Sequence, residues 1–161
     1  MLLRLVTALV LGTATLPAMA DDHSHAMAPN QPMVTQVWSR AMPPSAPTGA
    51  VYFTLMNHGD TPDRLLAVQT PQAEKAELHT SVHEGDVMRM ERVESVELPA
   101  RSQVAFQPGG HHVMLFKLTK PLVAGEHFPV TLTFEQAGDL TLDVPIREQG
   151  PDGHSSEHMQ H

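Results

Sequence analysis

Between about residues 33 and 148 the chain alternates short apolar stretches with clusters of turn-forming residues. Val130, Leu132 and Phe134 alternate with Thr131, Thr133 and Glu135, and Leu140, Leu142 and Val144 alternate with Thr141 and Asp143. Residues two apart on a strand share a face, so this pattern predicts strands with one buried side. The same reading places strands at Val34 to Arg40, Ala50 to Asn57, Arg64 to Thr70, Lys75 to His79, Val87 to Val93, Val104 to Gln107, Val113 to Leu118, Phe128 to Glu135 and Leu140 to Ile146. Asn57-His58-Gly59-Asp60, Glu84-Gly85-Asp86 and Ala137-Gly138-Asp139 supply turn chemistry, the last closing a terminal hairpin. Met42-Pro43-Pro44-Ser45-Ala46-Pro47 forms an irregular loop. No long amphipathic helix and no internal repeat is visible, and the spacing suits an all-β sandwich or Greek-key barrel.

The two ends lack this pattern. Residues 1–20 place Arg4 before an apolar run from Leu5 to Leu16 and finish in Ala18-Met19-Ala20, the layout of a secretory signal peptide cleaved after Ala20. No later run approaches the roughly 20 apolar residues of a membrane helix, so no stable membrane insertion is expected. Residues 21–32 read as a flexible N-terminal arm and residues 149–161 as a flexible tail rich in His and Met, leaving one β domain at 33–148. Cleavage leaves 141 residues, with nine Lys and Arg against eighteen Asp and Glu. That net charge of −9 makes nucleic acid an improbable partner.

Composition adds a sharper signal. Eleven His and ten Met occur in a chain with no Cys, so there is no disulfide framework and no thiol for lipid attachment. His112 and Met114 lie two apart on a predicted strand and aim one way while Val113 aims the other. Met90 sits on the second arm of a hairpin whose first arm is expected to end at His79, so a second His and Met converge there. Thioether sulfur is soft and uncharged and imidazole is intermediate, which together suit Cu(I) better than Mg²⁺, Ca²⁺ or Zn²⁺. Outside the reducing cytosol a thioether also avoids the disulfide formation open to a thiolate. A core Cu(I) site of His79, Met90, His112 and Met114 follows. Met88 shares the face of Met90 and is expected to pack beside it. His111 should face away from His112 and His83 should lie in the turn, both in supporting or surface positions. Met42 and Met56 read as core or loop packing, His58 as turn chemistry and His127 as a strand-edge residue.

The spacing His79, ten residues, Met90, twenty-one residues, His112-Val113-Met114 resembles the PCuAC family of periplasmic copper chaperones. Further similar blocks are Ala41-Met42-Pro43-Pro44, Gly49-Ala50-Val51-Tyr52, Asp63-Arg64-Leu65, Glu77-Leu78-His79 and Pro108-Gly109-Gly110-His111-His112-Val113-Met114-Leu115, so the likeness covers about residues 34–147. The resemblance implies a cupredoxin-like Greek-key β-barrel in the periplasm. It also implies that Cu(I) is delivered for assembly of the dinuclear copper centre of cytochrome c oxidase. The expected partner is the copper-accepting oxidase subunit or another periplasmic copper chaperone.

The arms add His23, His25 and Met27 at one end and His154, His158, Met159 and His161 at the other. Flexible His-rich tracts bind metal, and Asp21-Asp22-His23 at a newly cleaved amino terminus suits tetragonal Cu(II). Solvated tails without a second site are the competing reading. No Gly-x-Ser-x-Gly, phosphate loop, dinucleotide fingerprint or Cys nucleophile occurs, so a non-enzymatic binding protein, expected to be a monomer, is predicted. Electron transfer at a blue-copper site fails for want of a Cys ligand. A copper buffer or scavenger for homeostasis or import uses the same ligands and is the alternative to delivery. A sensor or adhesion module with structural metal is the third class, and the apolar strands argue against it by supplying a core without an ion.

Overall fold

The computed structural model describes residues 31–151. Within them are ten strands and no helix: β1 (Met33–Arg40), β2 (Thr48–Asn57), β3 (Asp63–Gln69), β4 (Ala73–Glu84), β5 (Val87–Arg92), β6 (Val96–Leu98), β7 (Ser102–Phe106), β8 (His112–Leu118), β9 (His127–Phe134) and β10 (Gly138–Arg147). The signal-like segment and nearly all of both arms, with their seven candidate His and Met donors, lie outside the described residues.

The strand order is β5-β4-β8-β2-β1-β10-β9-β3-β6, with β7 also paired to β2. All pairings are antiparallel except β1 with β10, which run parallel and join the two halves of the sheet. The inward residues of the two halves meet in one core. Val51, Phe53, Leu55, Val113 and Leu115 come from one side, and Leu65, Leu98, Val130, Leu132 and Val144 from the other, each at most 1% exposed. Phe53 and Phe106 stack across the β2–β7 pair with ring centroids 4.4 Å apart. This is the all-β arrangement that the alternation predicts, and it fits the cupredoxin-like fold that the family resemblance implies.

Two local differences from the sequence reading matter for the site. First, β4 does not end at His79 but continues to Glu84, pairing with β5 from His79↔Arg92 to Glu84↔Val87. Past Leu78 it leaves the core, so apolar alternation stops although the ladder hydrogen bonds continue. His83 is therefore a strand residue opposite Met88, not a turn residue. The turn is Gly85-Asp86, with Gly85 at φ 62°, a left-handed conformation that favours glycine at the head of a two-residue hairpin loop. Second, Val96–Leu98 forms a tenth strand against β3. Its two buried residues around Glu97 are too short a stretch to register as alternation.

Candidate metal centre

Register places all four candidate side chains on one face of the sheet. Val113 and Leu115 of β8 point into the core, which turns His112 and Met114 outward. On β4 the buried Leu78 likewise turns Glu77, His79 and Ser81 outward. β4 and β8 pair with His79 directly opposite His112 and Glu77 opposite Met114. β5 then sets Met90 opposite Ser81, two residues along from the His79↔Arg92 pair. Cross-strand partners share a face, so His79, Met90, His112 and Met114 all rise from the same side of three adjacent strands.

His112, Met90 and Met114 line a cleft of about 290 Å³, together with Met88 and Met42. His79 is not in that lining; its ring lies beside the cleft, 5.8 Å from the His112 ring between centroids. Met88 does share the cleft with Met90, as its same-face position predicts. Met56 and His58 line a separate polar depression with Arg101. His127 is exposed and bonded to Asp143 at 2.9 Å. His111 packs on Phe106, 5.5 Å between centroids, and burial followed by the charge of His112 holds its imidazole below the ordinary value.

The loop between β7 and β8 is what presents His112. Gln107-Pro108-Gly109-Gly110 is a turn closed by Gly110 N–H donating to the Gln107 carbonyl at 3.0 Å. Pro108 supplies the fixed φ of its second position and Gly109, at φ 82°, the left-handed third position of a type II turn. The Gly110 carbonyl so placed accepts from His112 Nδ1 at 3.1 Å and from the Ser81 amide at 3.2 Å, tying loop, β8 and β4 together.

In its neutral form each imidazole is held in one tautomer by its hydrogen bond. A carbonyl only accepts, so His112 Nδ1 carries the proton and Nε2 the lone pair. His79 Nε2 donates to Glu77 Oε2 at 2.9 Å, leaving the lone pair on Nδ1. These two lone-pair nitrogens, His79 Nδ1 and His112 Nε2, are buried and find no hydrogen-bond partner among the described residues; neither does Ser81 Oγ beside them. Buried polar atoms are rarely left so. Two unpartnered imidazole lone pairs next to a Met-lined cleft are a donor set for a soft cation. Among the described residues there is no group of three His, Cys, Asp or Glu side chains that would hold a harder one.

The two kinds of donor differ in exposure. His112 is 3% exposed, while Met90 is 61% and Met88 54% exposed on β5, a strand exposed along its whole length at the sheet edge. Glu77, Ser81 and the Gly110 carbonyl are the contributors that motif reading missed. Glu77 had one available signal, its position two residues before His79 and so on the same face.

A family model described as "Putative lipoprotein LpqE-like" matches residues 32–146. Putative lipoprotein Lxx21020 of Leifsonia xyli subsp. xyli (strain CTCB07) is 28% identical over 116 residues, 71% of this chain and 69% of its own length. Uncharacterized protein RP573 of Rickettsia prowazekii (strain Madrid E) is 27% identical over 103 residues, 63% of this chain and 57% of its own length. Among solved structures, the copper-bound PCuAC domain from PmoF2 superposes with a TM-score of 0.62 at 28% identity, over 72% of this chain and 92% of that domain. The Cu(I) form of DR1885 from Deinococcus radiodurans does so with a TM-score of 0.62 at 31% identity, over 81% of this chain and 86% of that one. The sequence match over the whole β domain and the agreement in fold lead to one assignment: the chain belongs to the LpqE-like, or PCuAC, family.

Proposed function

We propose that this protein is a periplasmic copper chaperone that holds one Cu(I) with His79, Met90, His112 and Met114 and passes it to a copper-accepting subunit of cytochrome c oxidase. The observation that carries the reading is the pair of buried, unpartnered nitrogens, His79 Nδ1 and His112 Nε2, on the sheet face that also bears Met90 and Met114. Two relatives of the same fold are described as copper-bound and as a Cu(I) form, which supports copper as the cargo. The signal-like first twenty residues support export, and among the described residues no helix is long and apolar enough to cross a membrane.

The chemistry suits a carrier. Imidazole and thioether are neutral donors, soft enough to select Cu(I) and without the thiolate charge that would hold it against a Cys-bearing acceptor. The imidazoles are pinned by Glu77 and Gly110, and Met90 stands on an exposed edge strand where an incoming ligand can replace it. The tail residues His23, His25, Met27, His154, His158, Met159 and His161 are a proposed accessory Cu(II) site.

The test is anaerobic competition for Cu(I) against a chromophoric chelator, using the mature protein, the Met90→Ala/Met114→Ala variant and a form lacking both tails. One Cu(I) bound without the tails and lost in the double variant supports the core site. Binding that survives the double variant and vanishes with the tails overturns it in favour of a buffer. Delivery is then read directly by mixing the loaded protein with a cysteine-bearing oxidase domain. Copper that stays on the carrier refutes delivery.

A further inference from the structure

Glu77 belongs to no ligand set, yet it contacts or faces every strand of the proposed site. Its side chain is only 9% exposed, on the outer face of β4. Oε2 accepts from His79 Nε2 at 2.9 Å. Oε1 meets Lys75 Nζ at 2.6 Å and Arg92 Nε at 3.4 Å, and Arg92 is the residue of β5 two along from Met90. In register Glu77 lies directly opposite Met114 of β8. One carboxylate thus ties the ring of His79 to the strand that carries Met90.

We propose that Glu77 is a positioning residue for the copper site: it holds the His79 ring with its Nδ1 lone pair available and supplies the negative charge that the four neutral ligands lack. The inference rests on the copper reading above. A carboxylate that accepts the second N–H of a ligating imidazole fixes the ring and makes the other nitrogen a better donor. A Cu(I) ion on two imidazoles and two thioethers keeps its full positive charge, and Glu77 is the anion bonded to one of those imidazoles. Three hydrogen-bearing groups converge on the carboxylate, the His79 Nε2–H, the Lys75 ammonium and the Arg92 guanidinium. Lys75 and Arg92 are both more than half exposed, so water screens their charges while the carboxylate keeps its contact with His79.

Glu77→Gln keeps the size of the side chain and removes its charge. In the chelator competition it is expected to raise the Kd for Cu(I) by about 10- to 100-fold, the usual effect of removing such a partner. An unchanged or lower Kd overturns the proposal, because the carboxylate would then be neutral toward the site or compete for His79. Nitrogen-15 spectra of the His79 ring in the metal-free wild type provide a readout that needs no variant. A proton on Nε2 and a bare Nδ1 are expected, and the opposite tautomer overturns the proposal. His112→Ala separates the two readings. Wild-type affinity in Glu77→Gln alongside lost binding in His112→Ala refutes the role of Glu77 alone, whereas retained binding in His112→Ala refutes the site itself.

Discussion

Replacing His112 with leucine should abolish Cu(I) binding while leaving the metal-free protein as stable as the wild type or more so. In the metal-free fold His112 is almost fully buried, and its Nε2 has no hydrogen-bond partner among the described residues. Burying an unsatisfied polar atom costs about 1–3 kcal/mol, and leucine removes that cost. The substitution also removes the Nδ1 bond to the Gly110 carbonyl, which contributes about 0.5–1.5 kcal/mol. That carbonyl keeps the Ser81 amide, so no second orphan is created. The balance favours the variant by about 1 kcal/mol, which in a domain of this size raises Tm by roughly 3–5 °C. Copper should reverse the order: at a free concentration of about 100 times Kd it stabilises the wild type by about 2.7 kcal/mol and the variant not at all. Thermal melts of both proteins with and without Cu(I) test this crossing. Loss of more than about 2 kcal/mol in the metal-free variant, well outside the range these terms allow, would refute the reasoning that His112 is held at a cost to the fold. So would a copper-dependent shift that survives the substitution.

Met90→Ala should change stability by less than about 0.5 kcal/mol, since the side chain is mostly exposed, yet weaken Cu(I) more than about tenfold by removing one of two soft donors; denaturant titration and chelator competition separate the two effects. Gly109→Ala forces a β-carbon into the left-handed region and should cost about 1–2 kcal/mol by denaturant titration. It should also lower Cu(I) affinity, because the same turn sets the Gly110 carbonyl that holds His112. Glu77 is held down to about 2 from an ordinary 4.5, by its bond to His79 first and to Lys75 next. A depressed carboxylate contributes stability that is fully present above its unfolded value and lost as pH falls through the folded one. Metal-free wild type should therefore lose stability between pH 4.5 and about 2 more steeply than Glu77→Gln, as followed by denaturation midpoints.

The strands were legible where one face is buried. β9 and β10 alternate cleanly because Val130, Leu132 and Val144 face the core while their neighbours face water. β5 was legible for another reason: it buries nothing, but the Glu84-Gly85-Asp86 turn before it requires a returning strand. The far half of β4 abuts the same turn but lacks apolar alternation, so the pattern ends that strand five residues early, at His79. Sequence spacing carried His112 and Met114 as a same-face pair without help from tertiary structure. It did not carry the β4–β8 pairing, which sets His79 opposite His112, because no local pattern specifies which distant strand becomes a neighbour. The Ser81 amide bond to Gly110 and the Arg92 contact of Glu77 were hidden for the same reason, since they cross between strands, whereas Glu77 to His79 and Gly110 to His112 are contacts between residues two apart in sequence.

On the proposed reading, the placement of these donors would let one small domain combine a firm fold with an exchangeable cargo. Every residue of the proposed site points away from the core, so ligand chemistry on the outer face leaves the packing of Val113, Leu115 and Leu78 on the inner face untouched. The imidazoles stand on the inner strands of that face, one ring held by the Glu77 carboxylate and the other by the Gly110 carbonyl. Met90 stands on the edge strand, where its side chain is mostly exposed. An ion held this way has a rigid side and a labile side. On the proposed chaperone reading, an acceptor thiolate approaching over β5 would meet the labile side first and displace a thioether before disturbing either histidine. On this reasoning, exchanging the positions of the two donor types, with histidine on β5 and methionine at His112, would keep the donor count and slow release to the acceptor.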